Sequence, residues 1–162
     1  MWRMIISGNG EKVVKRSLIC IAALFATAGA ASAENWNTVS NSRNSAFLIE
    51  IDGIALNGDI TRVPVATVPR NGDAADYSHS VETYEFKCGS GQWRTVGIVE
   101  YGEDGAEADR IPEEGGSWEP IRPNTLPDYL KQVACDGVRA DPPTWPSIKA
   151  FVDGGRVLPP GQ

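Results

Sequence analysis

The chain has 162 residues, with 15 lysines and arginines, 21 aspartates and glutamates, and a formal net charge of −6 at pH 7. An acidic protein repels phosphate, so this balance argues against binding nucleic acid and against docking on an anionic membrane. The length suits one domain with a single core. Eleven prolines and 17 glycines favour short strands joined by turns over long helices.

The first 33 residues have the features of a cleaved export signal. A basic segment at 12–16 precedes a thirteen-residue apolar run at 18–30, and the small-x-small pattern that signal peptidases accept follows at 31–33. The run is shorter than the roughly twenty residues of a membrane-spanning helix. This leader holds four bases and one acid, so cleavage before Glu34 leaves 11 bases, 20 acids and a net charge of −9. We expect an exported protein, periplasmic or extracellular, with no stable membrane anchor after cleavage.

Three cysteines become two when the leader is removed. Cys20 lies near the start of the apolar run, whereas a lipidated cysteine would follow such a run, so lipidation is disfavoured. Cys88 and Cys135 remain, and an even number in an oxidising compartment predicts one disulfide. Two cysteines and one histidine are too few ligands for a metal site, and no Cys-x-x-Cys redox pair is present. We expect no metal and no cofactor.

The first predicted elements are short strands. Residues 35–40 suit an edge strand, and residues 46–51 form a strongly apolar second strand. Asp52 and Gly53 tolerate positive φ, so they predict a hairpin turn that leads into a returning strand at 54–56.

A longer strand is predicted at 60–68, after a turn at 57–59. Pro64 lies within it and cannot donate a ladder hydrogen bond, so this strand should lie at an edge or carry a bulge. The small and polar residues 70–78 predict a loop.

Two stronger strands follow at 81–88 and 93–101. The short segment 89–92 contains two glycines, so an antiparallel hairpin is the natural interpretation. Regular alternation would place five residues of the second strand on one face: Trp93, Thr95, Gly97, Val99 and Tyr101.

A single helix is predicted near the C-terminal end, after an acidic loop at 102–116. Thr125 and Asp128 have the spacing of a capping box. An apolar stripe at helical spacing follows, formed by Leu126, Tyr129, Leu130 and Val133. Gly137 suits the left-handed end of this helix.

These elements predict an α+β fold, with a small antiparallel meander sheet and one C-terminal helix that the Cys88–Cys135 disulfide tethers to the sheet. The chain divides into the leader at 1–33, the α+β domain at 34–137 and a proline-rich C-terminal tail at 138–162, with a helical turn at 147–152.

Aromatic, proline and cysteine positions carry a family resemblance. Trp36, a strand running into Cys88, the Trp93-Arg94 pair with Tyr101, and Trp118-x-x-Ile121-x-Pro123-x-Thr125 before a helix ending at Cys135 resemble the surface-adhesin E family of small exported bacterial proteins. The resemblance spans about 36–136. It implies a curved antiparallel sheet with a disulfide-tethered helix, and binding of host matrix or plasma proteins, and it carries no catalytic residues over to this chain.

His79 is the only histidine. With Asp76 as its orienting acid and a serine as nucleophile it would suit a small envelope hydrolase. However, the chain contains no Gly-x-Ser-x-Gly elbow, and a solvated loop histidine is the simpler interpretation.

The acidic loop is the main candidate for partner binding. It contains Glu103, Asp104, Glu107 and Asp109, followed by Glu113, Glu114 and Glu119. Their spacing matches no defined calcium loop, so a solvated face or a contact for a basic partner is favoured over calcium.

Tryptophans are numerous for a domain of this size, and they often contribute to interfaces. Trp93 and Trp118, placed between predicted strand and helix, are expected in the core. Trp145 lies among the prolines of the tail, so we expect it to be the most exposed and add it to the partner-binding candidates.

The sequence therefore favours a non-enzymatic exported protein-binding module of the bacterial envelope, with an adhesin-like role. The partner would contact the acidic loop or the outer face of the sheet, and an exposed sheet edge would also allow a homodimer by strand addition. The alternatives are a hydrolase using His79 and a structural envelope protein without a ligand.

Overall fold

The computed structural model describes residues 33–112, 115–139 and 143–158. All but Ala33 of the predicted leader therefore lies outside the described residues. The elements are β1 (Trp36–Asn41), β2 (Ser45–Glu50), β3 (Ala55–Asn57), β4 (Ile60–Pro69), β5 (His79–Lys87), β6 (Gln92–Tyr101), β7 (Glu107–Ile111), β8 (Glu119–Pro120), α1 (Leu126–Ala134) and α2 (Ile148–Asp153).

All strands belong to one antiparallel sheet. The order is β1-β2-β4-β5-β6-β7, with β3 also paired to β4 and β8 also paired to β6. The predicted antiparallel sheet and small helical fraction are confirmed. The Cys88–Cys135 disulfide is confirmed as well, with a Cα–Cα distance of 5.7 Å.

The hairpin predicted at Asp52 and Gly53 is wrong. β2 pairs with β1 and β4, while β3 pairs with β4 through the register Asn57↔Ile60. The tight turn is the later one, where Gly58 takes φ 65°. Both segments have turn chemistry, and the long-range pairing of β2 with β4 decides between them.

Pro64 lies on an inner strand with no register shift against β5, so the predicted edge position or bulge is wrong. β4 is flanked by β2 and β3 on one side and β5 on the other. The β2 register with β4 ends at Val65 and the β3 register ends at Arg62, so Pro64 stands between the two. The missing N–H donor is tolerated because the partner strand is interrupted there.

The two helices pack on opposite faces of the sheet. The cluster on the α1 side comprises Ile49, Val63, Val65, Tyr84, Phe86, Leu130 and Val133. The cluster on the α2 side comprises Trp36, Ala46, Leu48, Ala66, Val68, Ile148, Phe151 and Val152. The sheet is therefore the middle layer of the fold.

A β-bulge at Gly97 breaks the regular alternation predicted for β6. Glu82 pairs with Ile98 and Thr83 pairs with Val96, so Gly97 has no opposite residue in β5, and it takes φ 67°. Opposed residues of antiparallel strands share a face. The bulge therefore moves Tyr101 from the face of Trp93 to the face that carries α2.

The start of α1 differs in detail from the prediction. Thr125 is the N-cap but makes no side-chain capping bond, and its hydroxyl donates to Arg122 O at 2.6 Å. Asp128 accepts from the Asn124 amide at 3.0 Å instead of that of Thr125. The predicted end is confirmed, with Cys135 as C-cap and Gly137 at φ 70°.

The predicted helical turn at 147–152 is confirmed as α2. The Ser147 side chain accepts from the Ala150 amide at 3.0 Å and caps its first turn. Among the described residues, neither helix is long and apolar enough to cross a membrane.

Candidate functional site

A groove of about 270 Å³ opens on the α2 side of the sheet. Its aromatic residues come from distant parts of the chain, namely Trp36, Tyr77, His79 and Tyr101, and its charged residues are Glu34, Asp104 and Lys149. The Gly97 bulge brings Tyr101 to this face beside its cross-strand partner His79. Over Trp36 and Tyr101 the groove continues into a more open depression beside Glu50 and Asp52.

His79 is stacked and hydrogen-bonded in this groove. Its ring lies parallel to that of Tyr101, with centroids 4.3 Å apart and planes inclined by 3°. Nδ1 lies 2.7 Å from the Tyr77 carbonyl oxygen. A carbonyl only accepts, so Nδ1 carries the proton and Nε2 of the neutral ring is left as an acceptor.

The pKa of His79 lies below its ordinary value. Burial is the largest cause and lowers the pKa, while the bond to the Tyr77 carbonyl and the charges of Glu34 and Glu100 raise it in part. The neutral imidazole is therefore the form that the folded protein favours at neutral pH.

Two carboxylates border the groove, and both residues are exposed. Glu34 accepts from Trp36 Nε1 through Oε2 at 2.7 Å, and Asp104 accepts from the Ala106 amide through Oδ1 at 2.9 Å. Within the described residues, the second oxygen of each carboxylate has no hydrogen bond. Each can accept from a ligand without breaking an existing contact.

The cation of the groove, Lys149, is already engaged. Its Nζ donates to Asp153 Oδ2 at 2.8 Å and to the Tyr77 hydroxyl at 2.7 Å. It also lies 4.1 Å from the centroid of the Tyr77 ring. The hydrogen bond to Asp153 is the main reason that the pKa of Lys149 is raised. Because Asp153 neutralises Lys149, the remaining charge of the groove is negative.

The predicted acidic loop is partly a strand, because β7 occupies Glu107–Ile111. Of its four described candidates, only Asp104 lines the groove. Glu107 lies on β7 and binds Arg110 through both oxygens at 2.8 and 2.7 Å, which lowers its pKa. Glu103 and Asp109 are exposed beside it. Glu113 and Glu114 lie outside the described residues.

Trp145 is half-buried. Its ring packs edge-on against Phe151 with centroids 5.5 Å apart, and its main chain pairs with that of Trp36. Its Nε1 is buried without a hydrogen-bond partner among the described residues. The structure therefore does not bring Trp145 together with the loop acids on one surface, and its indole has a packing role.

Trp93 and Trp118, both expected in the core, differ in their surroundings. Trp93 packs against the α1-side cluster, as expected. Trp118 is not a core residue, contrary to expectation: Lys87 Nζ and the Arg94 guanidinium lie 4.3 and 4.5 Å from its ring. Trp118 is half-buried and belongs to neither core cluster.

A buried carboxylate, Glu85, lies on the α2 side of the sheet, between its cross-strand partners Arg62 and Arg94. It binds Arg62 Nε at 2.7 Å through Oε1 and Arg94 Nη2 at 2.6 Å through Oε2. Burial alone would raise its pKa, but the hydrogen bonds from Arg62 and Arg94 outweigh burial and lower it. Both carboxylate oxygens are engaged, so this cross-strand network stabilises the sheet.

Among the described residues, Asp76, His79 and a serine do not form the hydrogen-bonded set that the hydrolase alternative requires. Asp76 accepts from the Ser78 amide at 2.9 Å, and Ser147 accepts from the Ala150 amide. Neither bonds to His79, whose hydrogen bond among the described residues goes to a carbonyl. Among the residues that the structure describes, no group of three or more histidine, cysteine, aspartate or glutamate side chains is arranged to hold a metal ion.

Sequence reasoning missed the groove because its walls are far apart in the chain. The available signals were Gly97 inside an otherwise regular strand and a histidine two residues after a tyrosine. Neither signal indicates that His79 and Tyr101 become neighbours.

The fold and site define a mostly antiparallel β protein with one disulfide and an open groove, a design suited to binding. The family model for surface-adhesin protein E matches residues 36–136, so the chain belongs to the surface-adhesin protein E family, as predicted. Comparison with the curated proteins and with solved structures gave no match. Membership implies an exported or surface location and binding to other molecules. The helix α2, which contributes to the groove, follows the matched residues.

Proposed function

We propose that this protein is a non-enzymatic, exported protein-binding module of the bacterial envelope with an adhesin-like role. Family membership is the observation that carries the proposal. The open groove supports binding, and the hydrogen-bonding of His79 to a carbonyl does not favour the hydrolase alternative. Export would use residues 1–33 as a cleaved leader, which leaves the mature chain in the periplasm or at the cell surface.

The contact surface that we propose lies around the acidic turn after β6 and along β7. Glu103, Asp104 and Asp109 are exposed there, and β7 is an edge strand with every residue exposed. Negative charge would steer a basic partner to this surface. The free edge of β7 would also allow two copies to pair as a homodimer.

We further propose that the disulfide tethers α1 to the end of β5. Cys88 follows β5 directly and Cys135 is the C-cap of α1. In an oxidising compartment the bond would keep α1 packed on one face of the sheet. The groove lies on the opposite face.

The first test is protease shaving of intact cells that express the full chain with a C-terminal tag, with a periplasmic marker as control. Loss of the tag would place the protein at the surface. A tag that is cleaved only after the outer envelope is opened would place it in the periplasm, and binding of host proteins would then be excluded.

The second test measures binding of the purified protein to a panel of immobilised matrix and plasma proteins. Glu103→Gln with Asp109→Asn should weaken binding, because it removes charge from the contact surface. Asp59→Asn with Asp73→Asn removes the same charge from exposed turns elsewhere and is the matched control. Binding to no member of the panel by a surface-exposed protein would contradict the adhesin-like role.

A further inference from the structure

We infer that the groove over His79 and Tyr101 receives a basic side chain, an arginine above all, that a partner protein presents. This inference rests on the proposed binding function and names the chemistry that the groove selects. The occupant is chosen by charge complementarity, since Glu34 and Asp104 border the groove and Lys149 is neutralised by Asp153.

The walls of the groove suit a cation. Aromatic rings attract cations through the negative face of the π system. The chain already shows this chemistry at the groove wall, where Lys149 Nζ lies 4.1 Å from the centroid of the Tyr77 ring. A second cation can therefore be accommodated beside Tyr101 and Trp36, provided that its charge is compensated.

Hydrogen-bond acceptors supply that compensation. Glu34 Oε1 and Asp104 Oδ2 make no hydrogen bond to described residues. His79 also lines the groove, and its Nε2 is left as an acceptor because Nδ1 donates to Tyr77 O. Acceptors on several sides favour the guanidinium of arginine, which has five N–H donors in a planar fork, over the compact ammonium of lysine.

The size of the groove limits the occupant. Pockets for drug-sized ligands are about 300–1,000 Å³. The groove has about 270 Å³ and is open to solvent, so it fits one side chain of a larger partner. The acidic turn at 102–105 lies at its border and would contact the partner around that side chain.

The test is an NMR titration of the protein purified after expression of the full chain. The ligands are acetyl-Gly-Ser-Arg-Ser-Gly-amide and the same peptide with citrulline, which keeps the shape of arginine and removes the charge. We expect saturable shifts of the Trp36 indole N–H and the His79 ring, with a dissociation constant on the order of 1 mM for so small a contact. The citrulline peptide should bind at least about tenfold more weakly, because charge-assisted hydrogen bonds are lost.

The matched variants are Glu34→Gln with Asp104→Asn in the groove and Asp59→Asn with Asp73→Asn outside it. The groove pair should reduce binding about tenfold or more, and the control pair should leave it unchanged. The amide oxygen introduced by Glu34→Gln can still accept from the Trp36 indole, and Asp104→Asn alone serves if the pair fails to fold.

Three results would overturn the inference: equal binding of the arginine and citrulline peptides, no saturable shift at Trp36 and His79, or an equal loss in the control pair. The panel assay separates this failure from that of the proposed function. If the groove pair binds a panel protein as tightly as the unmodified chain, the inference fails and the binding function stands.

Discussion

The main chains of Trp36 and Trp145 form an antiparallel bridge, in which each amide donates to the other residue's carbonyl at 2.9 Å. Trp36 begins the residues matched by the family model and lines the groove, whereas Trp145 comes after them. The bridge therefore attaches the segment that contains α2 to the first strand. Through it, a segment outside the matched residues helps to build the groove.

Deletion of residues 138–162 should lower the melting temperature and the free energy of unfolding. The deletion removes Ile148, Phe151 and Val152, all buried in the α2-side cluster, and each such side chain contributes about 1.5–3 kcal/mol. The loss should be on the order of 5 kcal/mol by urea denaturation. An unchanged midpoint would show that the tail does not pack and would support the boundary predicted at residue 137.

Phe151→Ala tests the packing of α2 with a single substitution. Phe151 is fully buried and touches the Trp145 ring, so truncation leaves a cavity and should cost about 3–5 kcal/mol. Val157→Ala, at a side chain that is 53% exposed, is the control and should change stability by less than about 0.5 kcal/mol. Similar effects of the two substitutions would contradict the packing of α2.

Glu85→Gln should destabilise the protein and make its free energy of unfolding less dependent on pH in the acid range. Glu85 is 3% exposed while Arg62 and Arg94 are 39% and 25% exposed, so solvent screens the pair in part and the loss should be about 1–3 kcal/mol. Its pKa is below the ordinary 4.5. Its contribution is therefore complete above pH 4.5 and is lost as the pH falls through the folded-state pKa.

The measurement is urea denaturation of both proteins at neutral and acid pH. The stability difference between the unmodified chain and the Glu85→Gln variant should shrink as the pH falls. Glu119→Gln, at an exposed residue whose side chain has no hydrogen bond to described residues, is the control. A stability difference that does not vary with pH would contradict the assigned role of Glu85.

His79 should titrate below its ordinary pKa of 6.5, and as the only histidine it gives one NMR titration. Glu34 and Glu100 raise this pKa in part, and Tyr77, Tyr101, Asp104 and Lys149 are the other groups that can titrate around the groove. Glu34→Gln should therefore lower the pKa further, and Asp59→Asn should not change it. A midpoint at or above 6.5 would contradict the burial of the ring.

The free energy of unfolding should decrease as His79 becomes protonated. The folded-state pKa of His79 is lowered, so the unfolded chain binds this proton more readily. Its contribution is complete above pH 6.5 and is lost as the pH falls through the folded-state pKa.

The parts of the fold that sequence predicts well depend on local periodicity. The β5–β6 hairpin and α1 follow from alternation and from a helical stripe, and the cysteine count gives the disulfide. Pairing between distant segments is harder, because the turn at Asp52 and the turn at Gly58 have similar chemistry. The groove is the extreme case, since Glu34, Tyr77, Tyr101 and Lys149 meet only after the sheet has formed.

Replacement of both cysteines, Cys88→Ala with Cys135→Ala, should lower the free energy of unfolding by about 4 kcal/mol in the chain-entropy model. The two residues are 47 apart in the chain, and the bond restricts the unfolded chain over that loop. The measurement compares the variant with the oxidised protein by urea denaturation. Equal stability would contradict the structural role of the disulfide.

Gly97→Ala tests whether the bulge in β6 positions the groove. Gly97 takes φ 67°, a left-handed conformation that costs an alanine about 1–2 kcal/mol. Tyr101 reaches the groove face through this bulge, so relaxation of the strand should disturb its stacking on His79 and change the titration of the histidine.

The matched control is Gly89→Ala, where an added Cβ meets nothing within 4 Å and φ is not in the left-handed region. It should alter stability by less than about 0.5 kcal/mol and leave the His79 titration unchanged. If Gly97→Ala loses stability but keeps the His79 titration, the bulge is needed for folding but the stacked pair does not depend on it. If Gly97→Ala changes stability and the His79 titration as little as Gly89→Ala does, Gly97 does not have the left-handed conformation. The bulge would then not bring Tyr101 to the groove.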